Sequence, residues 1–232
     1  MRVNFLLDFN LIIKEMEDFE QVKKTLSYPY YFYKTFPQLK NKSSEEIVNH
    51  FKINKKSILE KLRKRRKEIR ELWKSVEKRF FEDIMNLTNF EWKFQNYKCF
   101  LSCAWAGRYF YPKNEIEIFG FLKNADTLNT LAEELFHLHF WNILEKKFKI
   151  NVKFLDKEKY TEKEKNLWFL SEAVVVFVLP EIGFYKKSLW FIPWWKADPK
   201  IKEIYISLKP FWKNRKNFTD FLRNSIKVLR II

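Results

Sequence analysis

The spacing of apolar residues changes period several times along the chain, and each change predicts an element. Residues 2–13, rich in β-branched and aromatic types, predict a strand. A short helix near 17–26 and an aromatic loop from Tyr28 to Phe36 follow. Ser43-Ser44-Glu45-Glu46 has the spacing of a capping box, in which the Ser hydroxyl and Glu carboxylate each satisfy an N–H at a helix start. From Asn54 to Asn86 neither Gly nor Pro interrupts the chain. Ile58, Leu62, Ile69, Trp73, Val76 and Phe80 recur there at intervals of three, four and seven, which predicts one long amphipathic helix packed by that seam. Residues 97–120 read as two or three strands, with turns at Gly107 and at Pro112-Lys113-Asn114. Two helices are predicted next, over 127–147 and 161–179. Pro180, Pro193 and Pro210 then punctuate an aromatic tail ending in a helix over 217–229. No internal repeat or low-complexity tract is present. Periodicity alone gives an α+β chain with many helices.

Composition sharpens this picture in two ways. With 232 residues, 47% of them hydrophobic, the chain can bury a substantial core as one domain. Nine tryptophans and 25 phenylalanines exceed what any single site needs, so most belong to that core. The chain carries only three glycines, which argues against a Gly-rich phosphate loop. Cys99 and Cys103, if on one strand, lie about 13 Å apart at a rise of about 3.3 Å per residue, too far for a disulfide. They read as packing residues of a reduced protein. The apolar N-terminal run is interrupted by Asp8 and Asn10 and lacks a cleavage site, and Ala173 to Leu179 is too short to span a bilayer. The sequence therefore predicts a soluble, cytoplasmic protein with no membrane span.

The densest chemistry lies in Thr130-Leu131-Ala132-Glu133-Glu134-Leu135-Phe136-His137-Leu138-His139-Phe140-Trp141. Two carboxylates and two imidazoles fall within seven residues of a helix that is apolar on nearly all sides, and such helices are buried. Buried carboxylates are costly unless paired, hydrogen-bonded or bound to metal. A divalent cation would satisfy several of Glu133, Glu134, His137 and His139 at once. The plain alternative is an ordinary i,i+4 pair between Glu133 and His137.

Glu133-Glu134-Leu135-Phe136-His137 resembles the HExxH helix of zincin metallopeptidases, with Glu in place of the first His. Asn114-Glu115-Ile116-Glu117-Ile118-Phe119-Gly120 alternates as a strand should, and zincins place a substrate-aligning edge strand shortly before this helix. Leu170-Ser171-Glu172-Ala173-Val174-Val175 resembles the second helix of the gluzincin branch, whose Glu is the third ligand. The resemblance covers roughly residues 97–180. It implies a single zincin-like domain of the α+β class, in which 1–96 form an N-terminal strand and helical part and 181–232 a helical C-terminal part. The implied features are a small sheet, an active-site helix, a second ligand helix and a long amphipathic helix upstream. It further implies Glu133, His137 and Glu172 as metal ligands, zinc as the metal, and Glu134 as general base for hydrolysis of a peptide or protein substrate. Glu115 to Phe119 would hold an extended peptide by β-addition, with Tyr109, Tyr160, Tyr185 or His139 available to stabilise an oxyanion. Two carboxylates and one imidazole favour harder ions than two imidazoles do. They also offset the metal's charge and acidify a bound water less, so activity is expected to be slow or retired.

Charge adds a different class of reading. The net charge is +16, from 45 basic and 29 acidic residues. Between Lys52 and Arg79 stand thirteen basic and four acidic residues, densest at Arg63-Lys64-Arg65-Arg66-Lys67. A basic helical face can neutralise phosphates, so the alternative function is a non-catalytic binding protein that contacts nucleic acid through residues 52–79. A solvated helix back accounts for the same residues, with Arg63, Arg65 and Arg66 then removable at little cost in stability. An all-structural protein with a buried Glu/His network is the third reading.

Overall fold

The computed structural model describes residues 1–19, 28–156, 160–184 and 199–231. Strand β1 (Arg2–Leu6) is followed by helices α1 (Phe9–Glu17), α2 (Tyr28–Thr35), α3 (Ser44–Ile53), α4 (Lys55–Lys74) and α5 (Glu77–Thr88). Strands β2 (Asn96–Ser102), β3 (Gly107–Phe110) and β4 (Glu115–Phe119) come next, then α6 (Asn124–Lys147), α7 (Glu162–Glu181), α8 (Pro199–Lys213) and α9 (Phe218–Val228). The class is α+β. The chain forms two compact units, Met1–Glu77 with Gln95–Glu134, and Lys78–Phe94 with Leu135–Ile232.

The first unit is built on a sheet of order β1-β2-β4-β3. β1, β2 and β4 run parallel and β3 pairs antiparallel with β4. Register places Phe5, Cys99 and Ile116 side by side, with Leu101 and Ile118 next to them, all buried. β4 is thus an interior strand, buried over Ile116–Phe119. This corrects the expectation that Glu115–Phe119 is the substrate-aligning edge: both its backbone edges are occupied, and the edge strands are β1 and β3. Cys99 and Cys103 are free and buried, and burial raises both thiols.

Three other expectations change. The predicted strand over 2–13 stops at Leu6, because the Asp8 side chain accepts from the N–H groups of Asn10 and Leu11 and caps α1. Residues 20–26 of the short helix expected near 17–26 lie outside the described residues. The aromatic stretch after Tyr28 is helix α2, not loop, since Phe32 and Phe36, one turn apart, share a cluster with Phe51. Burial there outweighs weak helix propensity. The long helix is two helices. At the break, the Ser75 hydroxyl donates to the Leu72 carbonyl (2.7 Å), diverting a group from the helical ladder. The turn brings Glu77 Oε1 within 2.7 Å of the Val3 N–H and 3.0 Å of Trp73 Nε1. The capping box at Ser43 and Glu46 forms as predicted.

Arg65 is not a surplus cation. Its guanidinium donates to Glu68, to the Asn124 side chain, to the Leu122 carbonyl (2.7 Å) and to Thr127 Oγ1 (3.1 Å), with the side chain 14% exposed. It ties α4 to the start of α6, which overturns the expectation that Arg63, Arg65 and Arg66 are equally dispensable. Arg65→Gln should cost about 2 kcal/mol, the scale of lost part-buried charged hydrogen bonds. Exposed Arg63→Gln should stay within about 0.5 kcal/mol of the parent. Urea denaturation of both variants checks the contrast.

A buried charge cluster joins α1 to the sheet. Glu15 Oε2 accepts from Ser102 Oγ (2.8 Å) and the Cys103 N–H (3.3 Å), and Ser102 Oγ accepts from the N–H groups of Ala104 and Trp105. Arg108 donates to Glu117 through Nε (2.8 Å) and Nη2, and Nη2 lies 3.8 Å from Glu15 Oε1. One guanidinium thus serves two carboxylates. Burial, then repulsion from Glu117, pushes the Glu15 carboxyl up to about 8, against the pull of Arg108. The folded state therefore holds a proton on Glu15 that the unfolded chain releases near 4.5, and this contribution to stability is lost as pH rises from about 4.5 to about 8. Glu15→Gln, neutral throughout, should lack that loss. The stability difference between parent and variant, measured by denaturation at successive pH values, should fall across this window and level off above it.

The second unit is helical and aromatic. α7 is buried along nearly its whole apolar length and packs on α8. Phe177 stacks on Tyr205 (4.6 Å between centroids) and Trp212 (5.3 Å) and meets Phe221 of α9 edge-on. Pro180 and Pro210 lie within helices rather than ending them. Pro193 and Tyr185 lie outside the described residues. Among the described residues no helix is long and apolar enough to cross a membrane.

Candidate metal centre

α6 has no polar face: Leu131, Ala132, Leu135, Phe136, Leu138, Phe140 and Trp141 are all buried around its circumference. Its ionisable side chains must therefore find partners according to the direction in which each leaves the helix. Glu133 and His137 are one turn apart and leave on the same side. α7 brings Glu172 to them. Its start is fixed by a capping box in which Thr161 accepts from the Glu164 N–H and Glu164 from the Thr161 N–H. One ligand atom each from Glu133, His137 and Glu172 lies within 4.8 Å of the others. Glu133 is half-buried, and His137 and Glu172 are buried.

This geometry suits a shared cation. His137 Nε2 and Glu172 Oε1 are 3.7 Å apart, too long for a good hydrogen bond. Two ligands at about 2.1 Å from a tetrahedral ion stand about 3.4 Å apart, so a small adjustment would seat both. Burial lowers the His137 imidazole to about 3, leaving it neutral with a lone pair to donate. A neutral imidazole brings no charge to set against two carboxylates, and a divalent ion would bring two. The donors, one nitrogen and two carboxylate oxygens, fit zinc and also harder divalent ions.

Glu134 leaves α6 in a different direction and is buried against β3. A Cβ built on Gly107 would stand 2.2 Å from Glu134 Oε1 and 2.7 Å from Thr130 Cγ2, so any larger residue at 107 would displace the carboxylate. Gly107 is glycine because of this close approach. The sequence marked it only as a turn.

His139 takes no part in the cluster. Its Nε2 lies 3.0 Å from Thr88 Oγ1, whose own proton goes to the Ile84 carbonyl, so the neutral imidazole is the Nε2–H donor. The ring packs on Trp92 at 4.3 Å, and burial lowers its pKa to about 3. It is a core histidine, which removes it from the oxyanion candidates. Of the others, Tyr109 is in β3 on the sheet face of Gly107, and Tyr160 immediately precedes the α7 cap.

Comparisons with protein-family models, with curated proteins and with solved structures returned no match. The chemistry of the cluster therefore rests on its own geometry.

If the three side chains share an ion, the full-length protein should bind one equivalent of zinc or manganese. His137→Ala and Glu172→Gln should each weaken binding by more than about 10-fold, since even outer-shell changes at metal sites cost about 10–100-fold. His139→Gln should leave affinity unchanged. Calorimetric titration, with the metal-induced rise in Tm as a second readout, checks this.

Proposed function

We propose that the chain is a zincin-like metallopeptidase, or a slowed descendant of one, in which Glu133, His137 and Glu172 hold a divalent ion, most suitably zinc. The observation that carries this reading is the convergence of a helix-borne Glu/His pair with a Glu from a second buried helix. A bound ion supplies Lewis-acid polarisation of a water and of a scissile carbonyl. The chain's own residues supply the rest. Glu134, next to the ligand Glu133 and fixed in direction by Gly107, accepts a proton on its carboxylate as water attacks and returns it to the leaving amine. β3, an edge strand beside β4, offers its backbone to an extended peptide, the role that the resemblance assigns to Glu115–Phe119. Arg108 and Phe110 hang from that edge strand, with the guanidinium 4.3 Å from the Trp105 ring and 5.3 Å from that of Phe110.

The donor set predicts low turnover, because two carboxylates neutralise the ion whose charge must acidify water. Glu134→Gln should abolish hydrolysis of an unstructured protein such as casein while metal affinity stays within a few-fold. Glu133→His should tighten zinc binding and raise the rate. Fluorescent-casein hydrolysis with zinc, cobalt or manganese, run beside calorimetric titration, tests both. Hydrolysis that survives Glu134→Gln would remove the assignment of the base. Equal or weaker zinc affinity in the Glu133→His protein would remove Glu133 as a ligand.

A further inference from the structure

The exposed side of α4 carries a feature that the metal centre does not use. Lys56, Arg63, Lys67, Arg70 and Lys74 are separated by seven, four, three and four residues. At 3.6 residues per turn they fall within about 40° of one line along the helix, and at 1.5 Å per residue that line is about 27 Å long. All five are exposed, and among the described residues none of them is in an ion pair. Glu60 is the one acidic residue in the same sector. The buried seam of Ile58, Leu62, Ile69 and Trp73 lies roughly opposite, and Arg65 is spent on the start of α6. At the N-terminal end of the row a surface cleft of about 320 Å³ gathers Lys14, Lys52 and Lys55, with one acid, Glu17, around Phe9 and Ile13.

We infer that this row is a docking surface for the phosphate backbone of a nucleic acid. A straight row of long cationic side chains, interrupted by one acid at Glu60, complements a regularly spaced polyanion. The buried seam of α4 is committed to the core, so the helix has no apolar face to insert into a bilayer, and among the described residues Ile53 is the one large exposed apolar residue next to it in the chain. α4 is assigned to the phosphates by its row of Lys and Arg. It meets the backbone along a ridge and reads no bases, so binding is independent of sequence.

The test is fluorescence anisotropy of the full chain with a labelled mixed-sequence DNA duplex, titrated with salt between 50 and 200 mM. If all five cations meet phosphates, the log–log slope of affinity against salt should be about −4.5. The triple variant Arg63→Gln, Lys67→Gln, Arg70→Gln should flatten it by about 2.7, since each phosphate contact contributes about 0.9. A charge-matched control, Lys202→Gln, Lys209→Gln, Lys213→Gln on exposed positions of α8, should leave the slope unchanged. Equal losses in the two triples would overturn the proposal, because net charge rather than the row would then set affinity. Tighter binding to vesicles of phosphatidylserine and phosphatidylcholine than to the duplex, lost in the α4 triple, would also overturn it and make the surface a membrane contact. The metal-ligand variants should bind duplex as the parent does.

Discussion

The organising constraint is the burial of α6 without a polar face. In its middle turns water reaches little of what this helix carries, so each ionisable side chain there meets whatever the fold places in its direction. A helix turns about 100° per residue, which sends Glu133 and His137 one way, Glu134 another and His139 a third. The three directions meet three different solutions: a second carboxylate from α7, the bare backbone of Gly107, and the hydroxyl of Thr88. Four chemically similar residues within seven positions thus have separate roles, and the separation comes from helix geometry.

Two carboxylate pairs show how differently one electrostatic problem is met. Glu15 and Glu117 share the Arg108 guanidinium, and the remaining excess is met by a proton held on Glu15. That pair is chemically closed, with a cation built into the chain. Glu133 and Glu172 are instead accompanied by an imidazole that burial keeps neutral. A neutral imidazole contributes an electron pair rather than charge. An electron pair and two carboxylate oxygens within 4.8 Å of one another are a donor arrangement that could hold a metal ion.

What the residues revealed in advance follows the range of the interactions involved. Helix starts set by capping boxes at Ser43 and Thr161, and the helices carrying Glu133, His137 and Glu172, were legible because local pattern determines them. The break at Ser75–Val76 was not, because the seam keeps its period across it: Ile69, Trp73 and Phe80 are buried on both sides of the turn. Helix α2 was missed because its stability comes from aromatic packing that local propensity does not encode. The rank of β4 in the sheet was missed for a similar reason. Alternation says that a segment is a strand but not which neighbours it pairs with, and β3, four residues long and half-buried throughout, gives the weaker signal although it holds an edge.

The same argument separates the cations of α4. In sequence, Arg63, Arg65 and Lys67 are equivalent members of one basic run. In space their angular positions differ, so Arg65 falls near the buried seam and becomes a structural tether, while Arg63 and Lys67 fall on the far side and are exposed, in no ion pair among the described residues. Exposed Lys61 and Lys64 place further cations on the solvent-facing arc, off the row. Here Glu68 and Glu71 lie on the flank of that arc, and the line through Lys56, Arg63, Lys67, Arg70 and Lys74 keeps one sign except at Glu60. Mutual repulsion along such a row costs the isolated protein stability, and a bound polyanion would reverse the sign of that interaction.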